Sequence, residues 1–414
     1  MNALCETKSW AWLMLVWLMP HLAHATTLYV SPSGLHVAPY TNWLNAATNI
    51  QDALDEANNG DSVIVTSGYY NVTNELTISK PVYLKGSSSP KHDSTVSAVG
   101  QTRIILIQAD GVTVDGFTLL NGNPVEWGGA INAADGDATI RNCLIISNRA
   151  ANSSQNGGGL YAGKQIKVEN CTFLYNHADD YGGAIFCLQS FHAIRNCVMA
   201  NNTAGHSGGA IACMYSDGVI ESCTIMNNAA GSEGGIVSIY REGLYTYIYN
   251  SIIYSNYPAN SANWSNCVLY YSCVVPEAGV ACITNPPEFV SEYDDDYRLK
   301  PISPCINAGT NLLWMNTGYD LDFKPRIISN RVDVGAYELG ADLRIVISDC
   351  EHPYLEWNSE SNCSYQVQEV MHLNTGGWNN VGVERVGSGI PLQAEIDSLE
   401  KSTMYFRVFK TTIP

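Results

Sequence analysis

Residues 128–148 read GGAINAADGDATIRNCLIISN, residues 182–202 read GGAIFCLQSFHAIRNCVMANN, and residues 208–228 read GGAIACMYSDGVIESCTIMNN. These are copies of one pattern that returns between Asn121 and Asn256: paired glycines, an aliphatic run, a polar residue and Cys, a second aliphatic run, and a closing Asn. The closing residues are Asn121, Asn148, Asn176, Asn202, Asn228 and Asn256, and the glycine pairs open at Gly128, Gly157, Gly182, Gly208 and Gly234. A repeat of this period marks a solenoid, in which each unit buries its apolar side only against its neighbours.

Aligned copies predict rows of inward side chains. One row is Thr113, Ile140, Val168, Ile194, Ile220 and Ile248; another is Thr118, Ile145, Phe173, Met199, Ile225 and Ile253; a third, after the glycines, is Ile131, Leu160, Ile185, Ile211 and Val237. Side chains on a strand alternate strictly, and that parity slips by one at Arg141-Asn142 and its equivalents, so a bend separates two strands there. Each copy therefore holds at least three short strands. Stacked at the spacing of parallel strands, about 4.8 Å, the closing asparagines form an amide ladder. Cys143, Cys171, Cys197 and Cys223, with Cys187 and Cys213, read as small reduced core fillers. Arg141, Glu169, Arg195 and Glu221 alternate in sign and set register on an exposed edge.

Outward from the repeat, residues 1–25 read as a signal peptide: Lys8, the apolar run Trp10 to Met19, and the small-x-small site Ala23-His24-Ala25. That run is too short to span a bilayer of about 30 Å, so no membrane span is expected in a mature chain starting at Thr26. Residues 46–57 put Ala46, Ile50, Ala53, Leu54 and Ala57 on one helical face, a cap over the open end of the stack. Short β-branched runs from Val63 to Leu120 are strands, with Ser87 to Gly100 as a loop excursion. The 21 basic and 39 acidic residues give a formal charge of −18, which argues against nucleic acid and anionic lipid as partners.

The helix-strand opening NIQDALDEANNGDSVIVTSGYY, the GGAI…IRNC…N copies and the asparagine row resemble the right-handed parallel β-helix proteins, the fold of pectin and pectate lyases. The series Glu288-Phe289, Asp296 to Leu299, Ser303 to Gly309, Asp320-Leu321-Asp322, Pro325-Arg326 and Asp333 to Glu338 is similar to the closing segment of the surface-associated β-helix proteins called choice-of-anchor Q proteins. That resemblance implies that residues 288–340 end the helix; Asp320, Asp322, Arg326, Asp333 and Glu338 within them could suggest a catalytic cluster, but read better as salt-bridged structural groups of a C-terminal cap, since buried charges must be paired. The organisation expected is a signal peptide over 1–25, a β-helix with caps over 26–340 with regular coils about 111–256, and a small antiparallel β-sandwich over 341–414. The strand rhythm of the last part resembles a fibronectin type III module.

The fold hosts many functions, so activity must be read from particular residues. Glycoside hydrolysis needs paired carboxylates, and lyase chemistry a base beside acids that hold Ca²⁺. The candidates that precede the glycines are Glu126, Asp179, Asp180, His206 and Glu233, with Arg195 and Lys164 as bases by proximity and Asp135, Asp137 and Asp217 on another edge. No ligand set has the spacing of a metal site. Disulfides are open for Cys267, Cys273, Cys282, Cys305 and for Cys350 with Cys363. Aromatic residues, among them Trp127, Tyr161, Tyr175, Tyr181, Tyr215, Tyr240, Tyr245, Tyr247 and Tyr254, suit sugar stacking. The reading favours a secreted or cell-surface monomer with an adhesive, scaffold or carbohydrate-binding role toward an extracellular polysaccharide or cell-surface component, with no identified catalytic, cofactor or metal site. The alternative is a polysaccharide lyase or glycoside hydrolase, and only the lyase requires a cofactor, Ca²⁺.

Overall fold

A computed structural model of the chain describes residues 25–88, 92–151, 154–232, 234–239, 244–258, 264–276, 278–328 and 331–339, and beyond them the strands within 344–412. Residues 1–24, which hold most of the expected signal peptide, and Glu233, Tyr240 and Cys350 lie outside the described residues.

Among the described residues, three long parallel sheets wind as a solenoid. The first has ten strands, from Thr27–Val30 to Cys267–Tyr270; the second has eight, from Leu76–Ile78 to Trp264–Ser265; the third has nine, from Gly68–Val72 to Cys273–Val274. A fourth consists of two-residue strands, Arg149–Ala150, His177–Ala178, Thr203–Ala204 and Ala229–Ala230. Parity slips where the sequence places it: Asn142, Asn170, Asn196, Ser222 and Asn250 have φ between 50° and 55°. Their left-handed backbone turns the chain from the first sheet into the third, and Asn adopts that conformation at low cost.

The observed register corrects four details. Ile140 stacks on Val114 rather than Thr113, and Ile145 on Leu119 rather than Thr118. The β-branched threonines obscured this, because they suit either face of a strand. Ile211 pairs with Ile236, so Val237 turns outward and packs with Tyr161 and Phe186. Gly234 stacks on Gly209, the second glycine of its pair, and not on Gly208. Asn121 lies outside the ladder: the Asn148 side chain accepts from Gly122 N at 2.8 Å, while Asn121 donates to Ser97 Oγ.

The ladder itself runs through Asn148, Asn176, Asn202, Asn228 and Asn256, all buried. Each Oδ1 from Asn176 to Asn256 accepts from the backbone N and the Nδ2 of the previous asparagine at 2.9–3.1 Å. Inside it, the aliphatic rows are fully buried, each side chain contributing about 1.5–3 kcal/mol relative to exposure. The row cysteines are more than fillers. Cys143, Cys171, Cys197 and Cys223 each lie 3.0–3.4 Å from the carbonyl two residues back, so the thiols bond the bend as well as pack. They are free and buried, as are Cys187, Cys213, Cys273 and Cys305; Cys267 is also free and is half-buried.

The capping helix is Ile50–Glu56, with the Asn49 side chain accepting from Asp52 N. It buries Ile50, Ala53 and Leu54. Gln51 exchanges two hydrogen bonds with the backbone of Thr77, which satisfies the outermost strand of the second sheet and removes an edge that would otherwise recruit another chain. The loop expected at Ser87 to Gly100 contains a third-sheet strand, Ser94–Ala98. Ser94 Oγ bonds the carbonyls of Val65 and Thr66, so a polar residue is stably buried where the sequence suggested a loop.

The closing segment does not sit on the open end of the stack. It folds back along the outer face of the third sheet, where Phe289, Tyr297, Leu299, Val334 and Ala336 bury the outward Val198, Ala200, Met226 and Ile252. Arg326 and Glu338 form a fully buried pair at 3.0 Å, and Arg326 reaches Asn196 Oδ1 of the bend row. Beyond residue 340 the described strands form two three-stranded antiparallel sheets, with Trp357 of one against Tyr365 of the other at 6.3 Å.

Candidate functional site

The sequence candidates are stacked along one edge but do not make one cluster. Backbone bonds place Asp180 between Gln155 and His206, with Ser232 on the next coil. Partial burial pushes the Asp180 carboxyl upward, against the pull of His206. His206 lies 4.7 Å from the Tyr181 ring and bonds Ser207. Asp179 is held instead by Arg149 and His177, each at 2.9 Å. Glu126 sits further along and pairs with the buried Arg103, which also holds Glu75 and the carbonyls of Trp127 and Gly128. Glu126 and Asp179 thus have structural partners. Lys164 pairs with Asp110 at 3.2 Å.

A second place is more concave. The outward charges of the first sheet continue one coil earlier than expected, as Asp115, Arg141, Glu169, Arg195 and Glu221. Arg141 bonds Asp115 at 3.0 Å and Tyr83 OH at 2.8 Å, and its guanidinium lies 5.4 Å from the Tyr83 ring centre. Tyr83 in turn donates to Asp115. Burial opposes the Arg141 charge, but Tyr83 and Asp115 outweigh it and hold the guanidinium protonated. Arg195 bonds Glu221 at 2.5 Å, and Glu169 takes Lys167 at 2.9 Å. Beside this row runs a second asparagine series missed from sequence: Asn142 bonds Asp115, Asn170 bonds Asn142, and Asn196 bonds Asn170.

The closing segment supplies the opposite wall. A 3-10 turn, Leu313–Asn316, brings Trp314 to 5.7 Å from the Arg195 guanidinium. Asn196 Nδ2 donates to Tyr319 O, which fixes that wall to the bend row. The result is a groove of about 480 Å³ lined by Tyr83, Lys85, the charge row, the bend asparagines, Trp314, Tyr319 and Phe323. Tyr319 is 56% exposed and Phe323 49%, while the Trp314 indole N–H is buried without a hydrogen-bond partner. A smaller groove of about 360 Å³ lies two residues back on the same sheet face, at Thr113, Thr139, Lys167 and Phe191.

Of the aromatics anticipated from the repeat, Tyr161 is only 2% exposed. It forms a stack with Trp127 and Phe186 that covers the second sheet. Tyr83, Trp314, Tyr319 and Phe323 carried no repeat signal, since all four stand outside the repeat. In the core, Cys187, His192 and Cys213 meet, one potential ligand atom of each lying within 4.8 Å of the others.

The three-sheet parallel solenoid is in keeping with a family match over part of the chain. Residues 80–253 match the family described as right handed beta helix region. No curated protein matches the chain. Among solved structures, pectate lyase Pel9A is similar at 14% identity and a TM-score of 0.42, over 77% of this chain and 97% of that one. A pectin methylesterase in complex with hexasaccharide VII is similar at 13% identity and a TM-score of 0.37, over 62% and 91%. A pectin methylesterase from Aspergillus niger gives 13% and 0.33, over 62% and 92%. At these values the likenesses assign no role to any residue of this chain. Among the described residues, no helix is long and apolar enough to cross a membrane.

Proposed function

We propose that this is an exported β-helix protein of the choice-of-anchor Q kind that binds an extracellular polysaccharide in the groove between the first sheet and residues 314–323, with a fibronectin type III-like module behind it. The observation that carries the reading is the groove's lining: exposed rings of Tyr319 and Phe323 and a buried, unpartnered Trp314 N–H beside a row of amides and fixed charges. Sugars present apolar ring faces and hydroxyl edges, and aromatic faces next to amides match both. The charges are paired within the wall, so they offer hydrogen bonds without imposing one net sign on the ligand. A glycan array probed with the full chain, followed by calorimetric titration of the best binder, tests this. Trp314→Ala and Tyr319→Ala should weaken binding by about tenfold each, given aromatic contributions of about 0.5–1.5 kcal/mol beyond buried area. Unchanged affinity in both variants, with circular dichroism unchanged, would overturn the assignment. Export is tested by sequencing the N-terminus of the released protein, expected at Thr26.

A turnover reading rests on Asp180, whose carboxyl is raised toward the range of a general acid beside His206. Incubation with neutral and acidic glycans, with and without Ca²⁺, decides it. Cleavage that Asp180→Ala abolishes would replace binding by hydrolysis or lysis as the function.

A further inference from the structure

His192 is the one imidazole in an inward row otherwise made of Val112, Ala138, Ile166, Gly218, Thr246 and Cys267. It is completely buried. The coil above leaves room for the ring: a Cβ on Gly218, its register partner, would come within 2.6 Å of the imidazole Cγ. Across the corner, Cys187 and Cys213 stack on neighbouring strands of the second sheet, both fully buried. His192 Nε2 lies 3.6 Å from Cys213 Sγ, and His192 Nδ1 is buried with no hydrogen-bond partner. One ligand atom from each of the three falls within 4.8 Å of the others. Thr246 and Cys267 approach Cys213 from the following coils.

We propose that Cys187, His192 and Cys213 form a closed structural site inside the solenoid for a thiophilic d¹⁰ metal ion, Zn²⁺ or Cu⁺. An apolar core gains nothing from an imidazole unless the ring is engaged, and its Nε2 is turned to the Cys213 thiol. Two sulfurs and one imidazole nitrogen are the donors that soft ions select. Metal–sulfur bonds of about 2.3 Å and metal–nitrogen bonds of about 2.0–2.1 Å set ligand atoms about 3.5–3.8 Å apart in a tetrahedral arrangement, which the Cys213–His192 separation already meets. The unpartnered Thr246 hydroxyl faces the same space and is the natural fourth oxygen donor for Zn²⁺, whereas Cu⁺ is complete with three. On binding, the two thiols release their protons to solvent and the imidazole binds neutral, so the site gains two negative charges against the ion. Complete burial leaves no position open to substrate, and the ion enters as the coils close.

The chain itself suggests conservative variants for the test. Ala133 and Ala162 occupy the register of Cys187 and Cys213 in earlier coils, and Ile166 that of His192. Cys187→Ala, Cys213→Ala and His192→Ile should therefore fold, which circular dichroism checks. The full chain, refolded under reducing conditions with Zn²⁺ or with Cu⁺, is expected to retain one equivalent of ion after gel filtration, and each variant to lose it. Elemental analysis tells which ion is kept. Co²⁺ loading should give the thiolate charge-transfer and intense visible bands of a tetrahedral site, absent in His192→Ile. Added ion should raise the unfolding midpoint of the wild type alone. A folded wild type that retains no ion, or a Cys187–Cys213 disulfide found by peptide mapping in its place, would overturn the proposal.

Discussion

Asn202→Ala should cost about 2–4 kcal/mol. The Asn202 side chain accepts from Asn176 N at 3.0 Å and Asn176 Nδ2 at 2.9 Å, and it donates to Phe173 O, Ala200 O and Asn228 Oδ1 at 2.9–3.0 Å. Not all of these groups are stranded by its loss. Asn176 Nδ2 keeps Ile145 O, Asn228 Oδ1 keeps Asn202 N, and Ala200 O keeps Tyr175 N at 3.4 Å. The backbone N–H of Asn176 bears the damage, because Phe173 lies within the third-sheet ladder opposite Met199. At about 1–3 kcal/mol for a buried group left unsatisfied, that N–H plus a void of about 1 kcal/mol gives the stated range. Asn121 is the internal control, because it lies outside the ladder and its φ of 63° is open to glycine without strain. Asn121→Gly should cost under about 1 kcal/mol. Denaturant titration followed by circular dichroism reads both, with the slope watched because solenoids can unfold coil by coil. A loss under about 1 kcal/mol for Asn202→Ala, or equal losses at the two sites, would refute the ladder as a source of stability.

Glu338 shares the interior of the closing segment with Asp320, Asp333 and one guanidinium, Arg326. Asp320 and Asp333 accept two or more backbone N–H bonds each, so burial falls hardest on Glu338 and pushes its carboxyl up to about 9. A carboxyl raised on folding stabilises fully below its unfolded value near 4.5, and that stability is lost as pH rises toward 9. Glu338→Gln, which imitates the protonated acid, should flatten the stability profile over that window; an unchanged slope would show that Glu338 is ionised throughout. Gly183→Ala puts a Cβ 2.2 Å from Gly209 O and 2.5 Å from Thr203 O, and should destabilise by about 3 kcal/mol through forced movement of the stacked backbone; a loss near that of an ordinary surface substitution would show that the coil spacing yields. The Cys305 thiol lies against that of Cys273, so protein recovered from an oxidising compartment should yield these two as a linked peptide, and recovery of both as alkylated thiols would show that the pair stays reduced.

The sequence made the solenoid legible because each coil repeats the same physical problem. Strand parity, the left-handed turn at Asn142 and its equivalents, and the aliphatic rows recur at a fixed period, so one misread residue shifts a row without changing the architecture. The misplacements fall where that signal is weakest. Thr113 and Thr118 suit either face of a strand, Ser94 is buried only because two carbonyls meet it, and Asn121 copies the ladder residue one position early. The groove was invisible for another reason. Trp314, Tyr319 and Phe323 approach Arg195 and Asn196 from more than a hundred residues away in the chain, and no period connects them. His192 was hidden in the same manner, since its two thiols look like members of a filler row.

The closing segment links these observations to function. A bare β-helix presents flat sheet faces, and flat faces bind weakly because they cannot exclude water from a ligand. Folding residues 288–339 along the third sheet buries its apolar outer face at Val198, Ala200, Met226 and Ile252 and, at the bend, carries Trp314 and Tyr319 over the edge of the first sheet. The anchor is Arg326, which joins Glu338, Asp333 O and Asn196 Oδ1 in one buried network. Asn196 in turn bonds Tyr319 O and Asn170. One guanidinium therefore couples the stability of the segment to the position of the groove wall. Arg326→Met, which preserves the stem and removes the donors, should strip Glu338, Asp333 O and Asn196 Oδ1 of a buried hydrogen-bond partner, a loss of about 3–5 kcal/mol. In any fraction that folds, glycan affinity should fall together with protection of the Trp314 region from proteolysis. Affinity lost without increased cleavage near Trp314 would place the binding surface elsewhere on the coils.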